Sequence, residues 1–260
     1  MTKHNDGNRR VEDGRLVYFS KKTDPAFWDS QWQGLLNKET FAPYLRGFLS
    51  YFEIPFTRHL KKTDIILEAG CGTGQWVIAL RKRGYNCIGT DYATQTLGFS
   101  KQLYDMPYFS GDITTLGMAS ESCDAVISLG VVEHRQEGPE PFISDMLRVL
   151  KPGGLLLISV PYFNDLRVWR ANHGAYQDSI SGLDFYQQAF TKNDISNILT
   201  KNGLKILEYY PYEHRKCLRQ EIKLVTFFGP FLSKVFQKLS DYIPYVNSQL
   251  GHMLLVVAQK

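Results

Sequence analysis

The stretch Ile65–Gly74, Ile-Ile-Leu-Glu-Ala-Gly-Cys-Gly-Thr-Gly, constrains this chain more than any other. An apolar run ends in glycines at 70, 72 and 74, and a helical pattern begins at Gln75. The stretch therefore predicts a buried strand, Ile65–Ala69, a tight turn and a helix. Glycines in that turn admit positive φ and let a ligand approach main-chain N–H groups. A turn of this kind lies at the carboxyl end of a parallel strand, where nucleotide-like ligands bind.

The chain downstream alternates strand and helix patterns. Gln75–Arg83 reads as a helix burying Trp76, Val77 and Leu80, with Gly84 as its terminator. Asn86–Thr90 reads as a strand ending in Asp91, Thr94–Leu103 as a helix and Met106–Phe109 as a short strand. Cys123–Leu129 is almost wholly apolar, as strands buried on both faces are. Pro139–Leu150 carries a helical stripe, and Leu155–Val160 follows a Lys151-Pro152-Gly153-Gly154 break. Such alternation predicts a parallel sheet with helices on both faces. Thr191 with Asp194 forms a capping box ahead of Ile195, Ile198 and Leu199. Leu204–Tyr210 and His252–Ala258 are the last strand patterns.

Three regions are less regular. Residues 1–15 are polar and are expected to be frayed. Tyr18–Phe56 is rich in aromatics, with stripes at Phe27, Trp28, Trp32 and at Tyr44, Phe48, Phe52 that suit a helical cap. Tyr162–Gln188 shows no period and is expected to be a loop. Between the last two strands, Tyr212–Gly251 holds two apolar helical stripes, Leu218–Val225 and Phe231–Leu239. These suit an extra helical pair, a cover over a substrate, or an interfacial segment touching a membrane.

The totals bound the class. A chain of 260 residues, 43% hydrophobic and 22% charged, suits one α/β domain with additions. A net charge of +4 without an aromatic-interleaved basic cluster argues against nucleic acid. The four cysteines have no Cys-x-x-Cys spacing, so neither a zinc site nor a redox motif is indicated and no metal is expected. With no apolar segment behind the first charges, a reducing, cytoplasmic setting is the expectation.

The loop spacing selects a ligand class. The dinucleotide fingerprint is Gly-x-Gly-x-x-Gly; here Gln75 stands where its last glycine would be. Glu68 followed by Gly70-x-Gly72-x-Gly74 instead resembles motif I of the class I S-adenosylmethionine-dependent methyltransferases. Asp91, with Tyr92 after it, lies about 20 residues past the loop, where an acid accepts hydrogen bonds from ribose hydroxyls. Gly111-Asp112-Ile113 matches the family's adenine-binding segment. Leu129-Gly130-Val131-Val132-Glu133-His134 resembles motif IV of its small-molecule branch, and 190–210 is similar to the ubiquinone-biosynthesis-like members.

The resemblance implies a Rossmann-like fold: a seven-stranded, mostly parallel sheet with helices on both faces and an antiparallel last strand. It implies S-adenosylmethionine as cofactor, held by Glu68, Gly70, Cys71, Gly72, Gly74, Asp91, Tyr92, Asp112, Ile113, Leu129 and Gly130. It implies methyl transfer to a small-molecule acceptor, with His134 or Tyr162 as proton acceptor. Residues 1–60 would form an N-terminal helical cap on a methyltransferase domain at 61–260, with the helical insertion at about 212–251. The aromatic cap and the insertion suggest a bulky or apolar acceptor, with peripheral membrane contact through 218–239. Two alternatives stay open: a non-catalytic S-adenosylmethionine-binding regulatory module, and a nicotinamide-dependent oxidoreductase.

Overall fold

The computed structural model describes residues 8–20, 27, 32, 38–104, 107–221 and 250–260. Its first element corrects an expectation. Residues 8–20 are not frayed but form an antiparallel hairpin, β1 (Asn8–Glu12) and β2 (Arg15–Ser20). Asp13 and Gly14 both have positive φ, 49° and 77°, as a two-residue type I′ turn requires. β2 turns Leu16 and Tyr18 into a small apolar cluster with Phe163 and Tyr176.

The main sheet follows the helix α1 (Glu53–His59). β3 (Ile65–Ala69) leads through the glycine turn into α2 (Gln75–Lys82), and β4 (Asn86–Asp91) leads into α3 (Thr94–Tyr104). Next come β5 (Tyr108–Ser110), β6 (Cys123–Leu129), α4 (Glu140–Val149) and β7 (Leu150–Pro161). Met106, expected to open β5, lies outside the described residues, as do Trp28 and the stretch 222–249 of the insertion.

The segment 162–188 is ordered into two elements, contrary to the expected loop: α5 (Asp165–Asn172) and β8 (Asp184–Ala189). β8 pairs antiparallel with β2, completing a three-stranded sheet of order β1-β2-β8. The chain ends with α6 (Lys192–Lys201), β9 (Lys205–Tyr212), α7 (His214–Glu221) and β10 (Met253–Gln259). The capping box on α6 is formed: Thr191 Oγ1 accepts from the Asp194 N–H, and Asp194 Oδ2 accepts from the Thr191 N–H, both at 3.1 Å.

The main sheet has seven strands in the order β5-β4-β3-β6-β7-β10-β9. β10 runs antiparallel to both neighbours, and the pairs from β5 to β7 are parallel. Side-chain alternation divides β3 and β6 between two cores. Leu67 and Val126 enter one cluster; Ile66, Ala125 and Ile127 enter the other. Helices cover both faces, so both cores are buried and the strands read as continuous apolar runs. After β3 the chain builds outward through β4 and β5, then returns to β6 on the other side of β3. That reversal opens a crevice at the carboxyl ends of β3 and β6, the position where open α/β sheets bind ligands.

Candidate functional site

A cavity of about 570 Å³ occupies that crevice, within the roughly 300–1,000 Å³ usual for small-ligand sites. The glycine turn forms one wall. Gly70, Gly72 and Gly74 have φ of 79°, 52° and 74°. A Cβ on Gly70 would come within 2.5 Å of Val131 Cγ2, and one on Gly72 within 3.1 Å of the Trp32 ring. Gly70, Cys71 and Gly72 border the cavity; Gly74 does not. Gly74 instead caps α2, and a side chain there would overlap the Tyr108 hydroxyl. Its task is close packing of turn on strand.

The carboxylates differ in exposure and in what they hold. Asp91 is buried at the end of β4. Its Oδ2 accepts from the Gly72 N–H at 2.7 Å, and its Oδ1 from the Ala93 N–H at 2.9 Å. These bonds fix the carboxylate plane at the cavity wall. Glu68 is buried beneath the turn, and its Oε2 has no partner among the described residues. Burial raises its pKa well above the carboxylate range, with the charge of Asp91 adding to the shift. Asp112 is exposed and accepts from the Thr114 N–H at 2.7 Å and its hydroxyl at 2.8 Å. Ile113 beside it is buried, and Tyr92 is exposed; both border the cavity, as do Asp112, Leu129 and Gly130.

The turn after β6 carries Glu133 and His134 as a short 3-10 helix, Val132–His134. His134 Nδ1 lies 2.8 Å from the Tyr186 carbonyl oxygen. A carbonyl only accepts, so Nδ1 carries the proton and Nε2 the lone pair. Burial lowers the pKa of this imidazole to about 4, against the pull of the carbonyl, so it is neutral at physiological pH. Its ring lies 5.1 Å from that of Tyr186. Glu133 is also buried at the cavity wall, and desolvation raises its carboxyl to about 8.

Tyr162, the other expected proton acceptor, is not brought to the cavity. It packs into the core with Phe190 and Leu254, because its backbone is tied to both neighbours. Its N–H donates to the His252 carbonyl at 2.9 Å, and it bridges Phe190.

Several residues that no sequence motif marks also border the cavity: Tyr18, Trp32, Tyr186, Lys216, His252 and Met253. His252 Nδ1 lies 2.7 Å from Arg167 Nη2. A guanidinium only donates, so His252 accepts there and carries its proton on Nε2. The two cavity histidines thus have opposite tautomers, each set by its partner. Trp76, expected in the core, is half-buried on the cavity wall, edge-on to Tyr44 and Phe52.

Comparison with known proteins fits this geometry. A family model described as a methyltransferase domain matches residues 67–158. A protein of Mycolicibacterium smegmatis named as a probable S-adenosylmethionine-dependent methyltransferase is 33% identical over 97 residues, 37% of this chain and 37% of that protein. The chain thus spans little more than a third of that relative. A ubiquinone biosynthesis O-methyltransferase of Coxiella burnetii is 23% identical over 197 residues, 68% of this chain and 79% of that one. A solved S-adenosylmethionine-dependent methyltransferase from Methanosarcina mazei superposes with a TM-score of 0.55 at 16% identity, covering 79% of this chain and 96% of that one. At that identity the likeness is one of fold.

Fold and site together define a Rossmann-like methyltransferase domain. The chain is similar to the S-adenosylmethionine-dependent methyltransferases, which points to S-adenosylmethionine as its cofactor. The site fits that group on its own terms. It offers a glycine turn with no room for side chains, a carboxylate oriented by two N–H donors, and an orphaned buried carboxyl oxygen on Glu68.

Proposed function

We propose that the chain transfers a methyl group from S-adenosylmethionine to a small-molecule acceptor bearing a nucleophilic heteroatom. The observation that carries this reading is the oriented Asp91 carboxylate beside the side-chain-free glycine turn, both on one cavity. Asp91 would accept from the ribose hydroxyls, with Tyr92 alongside. Asp112 and Ile113 would meet the adenine. Glu68, Gly70, Cys71 and Gly72 would surround the methionine portion, with the backbone of Leu129 and Gly130 opposite and Gly74 supporting the turn from behind. The cofactor supplies an activated methyl group on a sulfonium. The protein's share is to hold the acceptor in line and exclude water, which contributes about 7–11 kcal/mol in favourable cases.

The aromatic walls, Trp32, Trp76, Phe142 and Tyr186, support a bulky acceptor with a ring or apolar body. Residues 1–60 act as a cap in this reading, since Tyr18 and Trp32 reach the cavity. The insertion at 212–251 contributes Lys216 from α7; its membrane contact through 218–239 rests on composition, as 222–249 lie outside the described residues. No helix among the described residues is long and apolar enough to cross a membrane. The four cysteines are free thiols, which supports a cytoplasmic setting.

Calorimetry with S-adenosylhomocysteine tests the reading. Wild type is expected to bind it, and Asp91→Ala to lose measurable affinity. An unchanged dissociation constant in the variant would remove the basis of the assignment. Label transfer from methyl-labelled cofactor to a panel of hydroxyl and amine acceptors separates the enzyme from a non-catalytic binding module.

A further inference from the structure

Glu133 is the buried acid in the turn after β6, and among the described residues nothing in the cofactor cradle uses it. It is 2% exposed, and its Oε2 has no hydrogen-bond partner among the described residues. A buried polar atom without a partner is uncommon and costs about 1–3 kcal/mol. The carboxyl lies over the end of β6. A Cβ placed on Gly130 would be 3.5 Å from Glu133 Oε1 and 4.0 Å from Met253 Cε. Both residues border the same cavity.

Resting on the methyl-transfer reading, we propose that Glu133 is the charge partner of the reacting sulfur: neutral before the cofactor binds, ionised opposite the sulfonium, and recipient of the acceptor's proton during transfer. Among the described residues, the groups around the carboxyl are neutral or paired elsewhere. Tyr186 of β8 and Tyr212 of β9 face the carboxyl as neutral phenols, both held protonated by burial. His134 in the same turn is a neutral imidazole. His252, ahead of β10, accepts from Arg167 Nη2 at 2.7 Å. At the cavity border Lys216 of α7 is paired with Glu213 at 3.4 Å, and Arg135 with Glu137 at 3.5 Å. Glu68, Asp91 and Asp112 stand on the turn side of the cavity and add no positive charge. Desolvation, opposed by a backbone hydrogen bond, raises the Glu133 carboxyl to about 8, so a proton occupies it at neutral pH until a cation arrives.

The cycle balances. A lone pair of the acceptor oxygen or nitrogen forms the bond to the methyl carbon. The carbon–sulfur bond breaks with its electron pair going to sulfur, which becomes a neutral thioether. The proton leaving the acceptor heteroatom passes to the Glu133 carboxylate. The positive and negative charges thereby disappear together, leaving a neutral acid beside a neutral product. Replacing the thioether with a fresh sulfonium then releases that proton from the carboxyl to solvent.

Proton release on binding tests this without an acceptor. Calorimetry at pH 7 in two buffers of different ionisation enthalpy counts protons for S-adenosylmethionine and for S-adenosylhomocysteine. Wild type is expected to release about one proton more with the sulfonium. The ratio of the two affinities should rise about tenfold per pH unit from pH 6 and level off near 8. In Glu133→Gln both differences should vanish while S-adenosylhomocysteine still binds, which also reports that the variant is folded. Equal proton counts for the two ligands in wild type would overturn the proposal by themselves, as would a difference that persists in the variant. Failure of wild type to bind either ligand would overturn the methyl-transfer reading instead.

Discussion

At the scale of single residues, glycine and tyrosine positions separate packing from chemistry. Gly74 sits at φ 74° with the Tyr108 ring where its Cβ would be. Gly74→Ala therefore combines backbone strain with overpacking and should destabilise the fold by about 1–3 kcal/mol, read as a lower urea midpoint at unchanged slope. Tyr162 makes the opposite case. It carries a titratable hydroxyl at the end of a strand beside the site, yet packs into the core away from the cavity. Tyr162→Phe is expected to leave kcat and its pH profile unchanged within twofold; a large loss of kcat would show that its hydroxyl reaches the acceptor. The glycines and Asp91 could be read in the sequence because their roles depend on backbone position and spacing. Tautomers could not. His134 and His252 differ because one meets a carbonyl and the other a guanidinium, and both partners are distant in sequence.

At the scale of elements, apolar runs located the strands of the main sheet, because burial on both faces leaves a continuous hydrophobic signature. In the hairpin, Leu16–Phe19 of β2 is such a run, but β1 left no such signature. Asn8, Arg9, Arg10 and Glu12 are polar, and the partner strand β8 offers Gln187 and Gln188. The one local signal was Asp13-Gly14, a type I′ turn pair between the two strands. α5 was hidden for a related reason. Its buried face carries Arg167, which is fully buried where a periodic pattern expects an aliphatic residue. That arginine belongs to a cluster tying three elements together. Glu221 at the end of α7 pairs with Arg9 of β1 at 2.8 Å, and with Arg167 and Arg170 of α5 at 3.1 and 2.8 Å. It also accepts from the Tyr176 hydroxyl at 2.6 Å. Removing one partner of a buried ion pair costs about 3–5 kcal/mol because the other charge stays buried. Glu221→Gln should lower stability by about that amount, measured by urea unfolding. Exchange of the β1 amides should accelerate in the same variant, since Arg9 loses its anchor. Unchanged exchange there would show that the hairpin is held by β8 alone.

At the scale of the molecule, the site stores its costs in groups kept neutral, and pH exposes them. Glu133 has a folded-state value near 8 against an ordinary 4.5, and Glu68 is shifted in the same direction, both through burial. As pH rises from 4.5 toward 8, the unfolded chain gives up protons that the folded chain retains. Stability falls across that window and levels off once Glu133 ionises in both states. His134 works at the acid end. Its folded-state value near 4 lies below the ordinary 6.5, so the unfolded chain takes up a proton first as pH falls. Stability therefore drops from pH 6.5 toward 4 on its account. The two slopes oppose each other between 4.5 and 6.5; above 6.5 the carboxyls act alone. The ligand-free protein should consequently lose thermal stability between pH 6.5 and 8. Glu133→Gln should flatten most of that decline, because an amide has no proton to retain. Saturating S-adenosylmethionine should flatten it too, since a sulfonium opposite Glu133 would bring the folded-state value back toward that of the unfolded chain. Melting temperatures of wild type and variant, taken at half-unit steps with and without cofactor, measure both effects. A decline that persists undiminished in Glu133→Gln would move the linkage to Glu68 beneath the turn.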